Sequence, residues 1–85
     1  MTETIRAWQA QATKALDVRP ILADGGEPFV LILEMAAPLR TGESLLLTAP
    51  FEPVPLYAAL AERGFTHQTE AVSAAEWWVL FTRSS

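Results

Sequence analysis

Apolar and polar positions alternate along the chain in blocks short enough to separate helices from strands. Over residues 4–12, Ile5, Trp8 and Ala12 recur at spacings of three and four among good helix formers, which predicts a short leading helix. Lys14 to Arg19 reads as a first strand, with Leu16 and Val18 on one face and Ala15, Asp17 and Arg19 on the other; Pro20 closes it. Residues 23–27, Ala-Asp-Gly-Gly-Glu, have turn chemistry, because adjacent glycines beside an Asp tolerate positive φ. Pro28 suits a first helical turn, where its missing N–H has no partner to lose. Phe29, Ile32, Leu33, Ala36 and Leu39 then form an apolar face at helical spacing. Taken alone, Phe29 to Leu33 would also fit a buried strand. Continuation through Met35, Ala36 and Ala37 favours a helix that ends around Pro38 and Gly42.

Ser44 to Ala49 is a continuous apolar run between Gly42 and Pro50, as a central strand requires. Residues 50–55 hold three prolines and must be irregular, and Pro55 opens a second helix that Gly64 ends. Phe65 to Val72 and Glu76 to Thr82 read as strands joined by a turn at residues 73–75. The resulting order is β-α-β-α-β-β with an extra helix in front. Two helical crossovers imply parallel neighbours, the last pair reads as a hairpin, and one sheet with both helices on one face is the economical packing. That leaves the other face open. On the last strand, Trp77, Val79 and Phe81 alternate with Trp78 and Leu80, so both of its faces are apolar, more than a two-layer core needs.

At 85 residues the chain has room for one core, with residues 1–12 as an N-terminal extension or short helix and 13–83 as a single domain. Residues 1–12 and the last three, Arg83 to Ser85, read as its soft edges. Ten acidic against six basic residues argue against nucleic-acid binding, which needs clustered positive charge. The strongest apolar stretch, Phe29 to Leu33, is far short of the roughly 20 residues of a membrane span. The opening residues lack the apolar core of a secretory signal, so a cytoplasmic location is expected. Without cysteine there is no disulfide, thiolate metal site or thiol nucleophile, and the single His offers no multi-histidine metal centre.

Leu16-Asp17-Val18-Arg19-Pro20, Gly42-Glu43-Ser44-Leu45, Glu52-Pro53-Val54-Pro55-Leu56-Tyr57 and a Trp-bearing final strand occur in that order. Over residues 15 to 83 this resembles the DUF2249 family of small bacterial domains, related in fold to the sulfurtransferase TusA and the SirA-like proteins. The resemblance implies a two-layer α+β sandwich, β-α-β-α-β-β, with a four-stranded mixed sheet in the order 1-2-4-3. It also implies occurrence beside redox-associated and hemerythrin-like modules, and hence a partner of that kind. Two departures bear on function. TusA-like carriers place a Cys-Pro pair at the mouth of the first helix, where this chain has Glu27-Pro28. The family's Asp-His-Asp-Pro-Arg-Pro run is Pro50-Phe51-Glu52-Pro53-Val54-Pro55 here, with Phe51 and Val54 replacing the His and the Arg.

Candidate chemistry is sparse. Asp17 and Arg19, two apart on the expected strand, suit a polar network at its end. Asp24 and Glu27 suit the capping of the following helix, whose positive end they would complement. With Glu52 they would form an acidic rim if the loops after the first two strands meet, the usual edge for α/β ligand sites. The five large aromatics Trp8, Phe51, Tyr57, Trp77 and Trp78 are a high density for so small a domain and fit a protein–protein surface. No nucleophile–base pair is visible, and no catalytic residue, metal or cofactor is expected. The leading expectation is a non-catalytic accessory or interaction domain that binds a protein partner or itself through Phe51, Tyr57, Trp77 and Trp78, with neither nucleic acid nor membrane as partner. A second is a small anion or metabolite held by Asp17, Arg19, Asp24, Glu27 and Glu52; a third is an enzyme whose site the sequence does not display. Trp78 and Trp77 must leave on opposite faces, and the outward one calls for cover from the Trp8 segment or from a partner, with the partner narrowly favoured.

A glutamate cannot carry a persulfide, so direct sulfur relay is chemically closed to this chain. Incubation with a cysteine desulfurase and labelled cysteine should leave it unlabelled on a non-reducing gel; a stably labelled band would refute this.

Overall fold

The computed structural model describes residues 3–85. Helix α1 (Glu3–Gln11) precedes strand β1 (Lys14–Asp17), and a short helix α2 (Arg19–Ala23) leads into α3 (Phe29–Ala36). Strand β2 (Ser44–Ala49), helix α4 (Val54–Ala61) and the hairpin of β3 (Phe65–Ser73) and β4 (Glu76–Arg83) follow. The four strands form one mixed sheet in the order β1-β2-β4-β3. β1 runs parallel to β2, and β4 is antiparallel to both β2 and β3. The fold is the α+β arrangement expected, strand order included.

One expected boundary moves. β1 stops at Asp17 rather than continuing through Arg19, because Val18 already has helical angles (φ −90°, ψ −3°) and Pro20 lies within the first turn of α2. The Arg19 backbone N–H donates to Asp17 Oδ1 at 3.0 Å, which turns the chain at this point. Arg19 is therefore helical and does not share a strand face with Asp17. The first crossover consequently holds two helices, separated by a turn in which Gly25 adopts φ 82°, an angle suited to glycine. α3 ends at Ala36, two residues before Pro38, although Leu39 beyond it is still buried. After α4, Gly64 takes φ 87° and its carbonyl accepts the Ser84 N–H at 2.7 Å.

β2 is buried at all six positions and sorts its side chains by parity. Leu45, Leu47 and Ala49 join Val79 and Phe81 of β4 in a core with Ile32, Ala36, Leu56 and Leu60 from α3 and α4. Leu46 and Leu80 point to the opposite face and pack with Trp8 of α1, flanked by Ala12 and Trp78. The back of the sheet is therefore not left open: α1 covers its centre. The leading segment is a packed element rather than a soft edge. The C-terminal edge is tied down too, since Arg83 lies in β4 and donates to the Arg63 and Ala37 carbonyls at 3.0 and 3.3 Å. Its guanidinium also sits 4.5 Å from the Phe65 ring centre.

Trp8 fills the contact that closes the back face, so Trp8→Ala should destabilise the protein by about 3 kcal/mol, the scale of emptying a large buried site. The check is urea unfolding together with acrylamide quenching of the remaining indoles, which should rise as Trp78 loses its neighbour. An unchanged midpoint and unchanged quenching would mean that α1 does not act as cover.

Candidate functional site

The loops that follow the parallel strands β1 and β2 meet at one edge of the sheet, and between them lies a cleft of about 200 Å³. Its floor is Val18, Leu47 and Ala49. One wall is Leu22, Pro28, Phe29 and Ile32, and the other is Phe51, Pro53, Pro55 and Leu56. Apart from Glu27 every lining residue is apolar. Prolines shape it: Pro28 precedes α3 and is buried, while Pro53 ends the second loop at the N-cap of α4 and Pro55 sits in the first turn of that helix. At its mouth Phe51 is 53% exposed, and Val54, between two lining prolines, is 55% exposed. Val30, next to the lining residue Phe29, is 60% exposed. Among the described residues, four of the five large apolar side chains left exposed belong to the two segments flanking this cleft.

The residues anticipated as a ligand set are placed as follows. Glu27 lines the cleft, and its Oε1 accepts the Phe29 N–H at 2.9 Å, capping α3. Glu52 Oε2 accepts the Tyr57 hydroxyl at 3.1 Å. Asp24 is exposed in the turn after α2. Asp17 and Arg19 form a forked pair, with Nη2 and Nε donating at 2.8 and 3.0 Å, and Arg19 Nη1 lies 3.6 Å from Glu76 Oε1. The two loops do meet, and Glu27 lines the cleft between them; Glu52 lies between the lining residues Phe51 and Pro53 with its carboxylate on Tyr57, whereas Asp17 and Arg19 belong to a separate network that reaches β4. Among the described residues, no group of three or more His, Cys, Asp or Glu side chains is placed to hold a metal ion.

The aromatic set also divides. Phe51 lines the cleft, and Trp77 stands opposite Ala49, a cleft residue, in the β2–β4 register. Tyr57 stacks on His67 with ring centres 3.8 Å apart and planes 3° from parallel, and its hydroxyl lies 2.7 Å from Thr69 Oγ1. Burial pushes the Tyr57 phenol above its ordinary pKa, the Thr69 hydrogen bond opposes this, and the nearby Glu52 carboxylate adds to it. Trp78 is on the other face, beneath α1, with its indole N–H donating to Glu76 at 2.8 Å. Sequence reasoning found the two loops and their carboxylates but missed that the space between them is apolar. The signal was present in Pro28, Pro53, Pro55, Phe29 and Phe51, which all fall in those loops or beside them.

A family model described as an uncharacterized conserved protein, DUF2249, matches residues 15–83. The chain belongs to this family. The DUF2249 span contains both cleft walls and all of the sheet but Lys14, the first residue of β1, while α1 precedes it. Searches of curated proteins and of solved structures return no match. Nor does any helix among the described residues have the length and apolarity to cross a membrane.

The Arg19 hydrogen bonds hold the Asp17 carboxyl below its ordinary pKa, against a smaller opposing effect of burial. A carboxylate with a depressed folded-state pKa stabilises the fold above its unfolded pKa, near 3.9, and loses that contribution as pH falls through the lower folded value. Both side chains are about two-fifths exposed, so the contribution is at most about 1 kcal/mol. Asp17→Asn should therefore lower the urea midpoint at pH 7, and the gap from the parent should close by about pH 2. An equal gap at both pH values would show that the pair's charge contributes nothing.

Proposed function

We propose that this DUF2249 domain is a non-catalytic interaction module whose working surface is the apolar cleft between the loops after β1 and β2. In this reading it is a cysteine-free relative of the TusA-like carriers, acting in the cytoplasm of a bacterium and holding an apolar anchor from a partner protein. The observation that carries it is the size and lining of the cleft. About 200 Å³ is below the roughly 300–1,000 Å³ of sites that enclose a small molecule, and it suits one or two anchoring side chains. The lining residue Phe51 is itself exposed, and Val30 and Val54, each next in sequence to a lining residue, are exposed too, so the segments of both walls carry exposed apolar side chains, as the periphery of a protein contact does. The same lining disfavours an anion, since the one charged group in it is the Glu27 carboxylate.

Catalysis finds no support in this arrangement. The groups that converge are a capping carboxylate and hydrocarbon, with no nucleophile beside a base. The Asp17–Arg19–Glu76 network sets one cation between two carboxylates and is partly solvated, which fits a structural tie.

Selection of a random peptide display library against the intact chain tests the reading. Binders should be recovered whose binding falls at least about tenfold with Phe51→Asp, a loss of roughly 1.4 kcal/mol. Amide shift changes on their addition should centre on Phe29, Phe51 and Leu56. If no recovered peptide depends on Phe51 and none perturbs the cleft, the proposal fails. Circular dichroism of the variant separates a lost contact from a lost fold.

A further inference from the structure

Resting on that interaction reading, we infer that the partner segment accepted by the cleft carries lysine or arginine immediately beside its apolar anchor. The argument is the sign of the charge around the cleft. Glu27 lines it, Asp24 stands in the turn leading to it, and Glu52 lies in the opposite loop. Against these three carboxylates stand the N-termini of α3 and α4, each equivalent to about half a positive charge. The balance is negative even if both helix ends count in full.

Among the described residues, Arg19, Lys14 and Arg83 are each engaged elsewhere. Arg19, the first residue of α2, is held by Asp17 at 2.8 Å and faces Glu76 at 3.6 Å. That trio is itself negative by one charge and adds to the same edge. Lys14 donates to the Met35 carbonyl at 3.0 Å, and Arg83 to Ala37 and Arg63, all toward the C-terminal ends of α3 and α4. The Glu27 carboxylate is fixed on the Phe29 N–H within the lining, and that of Glu52 is held on the Tyr57 hydroxyl of α4, so both charges have set positions. A ligand with an apolar anchor and a flanking cation satisfies both features; a purely apolar one leaves the charge unanswered, and an acidic one meets repulsion.

The composition and salt response of the Phe51-dependent peptides provide the test. Lys and Arg should be enriched next to the apolar anchor relative to the input library. Affinity for a recovered basic peptide should fall about tenfold between low and 0.5 M salt, as expected for several partly exposed charge pairs. The triple variant Asp24→Asn, Glu27→Gln, Glu52→Gln keeps the capping acceptors and should bind a basic peptide several-fold more weakly, while binding its Gln-substituted counterpart as the parent does. Phe51-dependent binders without basic enrichment, or with a triple variant that binds basic peptides undiminished, would overturn this inference and leave the interaction reading intact. If no binder depends on Phe51, both fall together.

Discussion

Burial of both faces of the two central strands is the constraint from which the rest of this structure follows. β2 is buried at all six of its positions, and β4 carries Val79 and Phe81 on one side and Leu80 on the other. A sheet with apolar residues on both faces of its middle needs cover on both faces, because each exposed leucine would forgo roughly 1.5–3 kcal/mol of burial. The crossover helices α2, α3 and α4 supply one cover by topology, since right-handed crossovers between parallel or sequential strands return over the same face. The second cover has to come from outside the β-α-β-α-β-β unit, and α1 provides it with two buried side chains, Ile5 and Trp8. The edge strands obey a weaker rule: β1 alternates half-buried and exposed positions, and most of β3 is exposed.

The cleft arises where that cover is interrupted. The chain leaves β1 through Val18 into a helix of only five residues, then passes a glycine turn before α3 begins. It leaves β2 through a proline-rich loop before α4 begins. α3 and α4 begin only after these segments, and Val18, Leu47 and Ala49, themselves buried members of the core, form the floor of the depression left between the two loops. The prolines hold it open: they restrict backbone angles, lack donors, and cannot continue a strand across the gap.

Much of the fold could be read from the sequence, and the exceptions have identifiable causes. β2 was legible because a continuous apolar run between Gly42 and Pro50 admits one reading, and its observed ends are the expected ones, Ser44 and Ala49. α2 was not, because Leu16, Val18 and the polar residues between them alternate as a strand does. Pro20 signals a strand end and a helix start equally well. The back-face cover turned on whether Trp8 finds Leu46 and Leu80, a contact between segments more than thirty residues apart that no local pattern encodes. Of the site, the meeting of the two loops was legible, and of the anticipated ligand set Glu27 lines the cleft between them. Its apolar character was not, because the lining comes from three separated segments and each hydrophobic residue taken singly reads as ordinary core.

The negative edge of the molecule has the same origin as its helices. Where a helix begins, an acidic side chain is favoured; where it ends, carbonyls attract cations. Asp17 precedes α2 and accepts the Arg19 N–H, Glu27 precedes α3 and accepts the Phe29 N–H, and Glu52 precedes α4. Lys14 and Arg83 instead reach carbonyls at or near the C-terminal ends of α3 and α4. Because β1 and β2 are parallel, the helices that follow them start at the same edge, so the Asp17 and Glu27 carboxylates that accept the first N–H groups of α2 and α3 gather there, while Lys14 and Arg83 lie away from it. Glu52, held on the Tyr57 hydroxyl, and Asp24, in the turn after α2, add negative charge that capping does not require. What distinguishes this chain is what fills the space between them. Phe51 of the second loop and Val54 at the start of α4 give this edge exposed hydrocarbon, and the proposed recognition of an apolar segment with a flanking cation rests on that pairing of contact with charge.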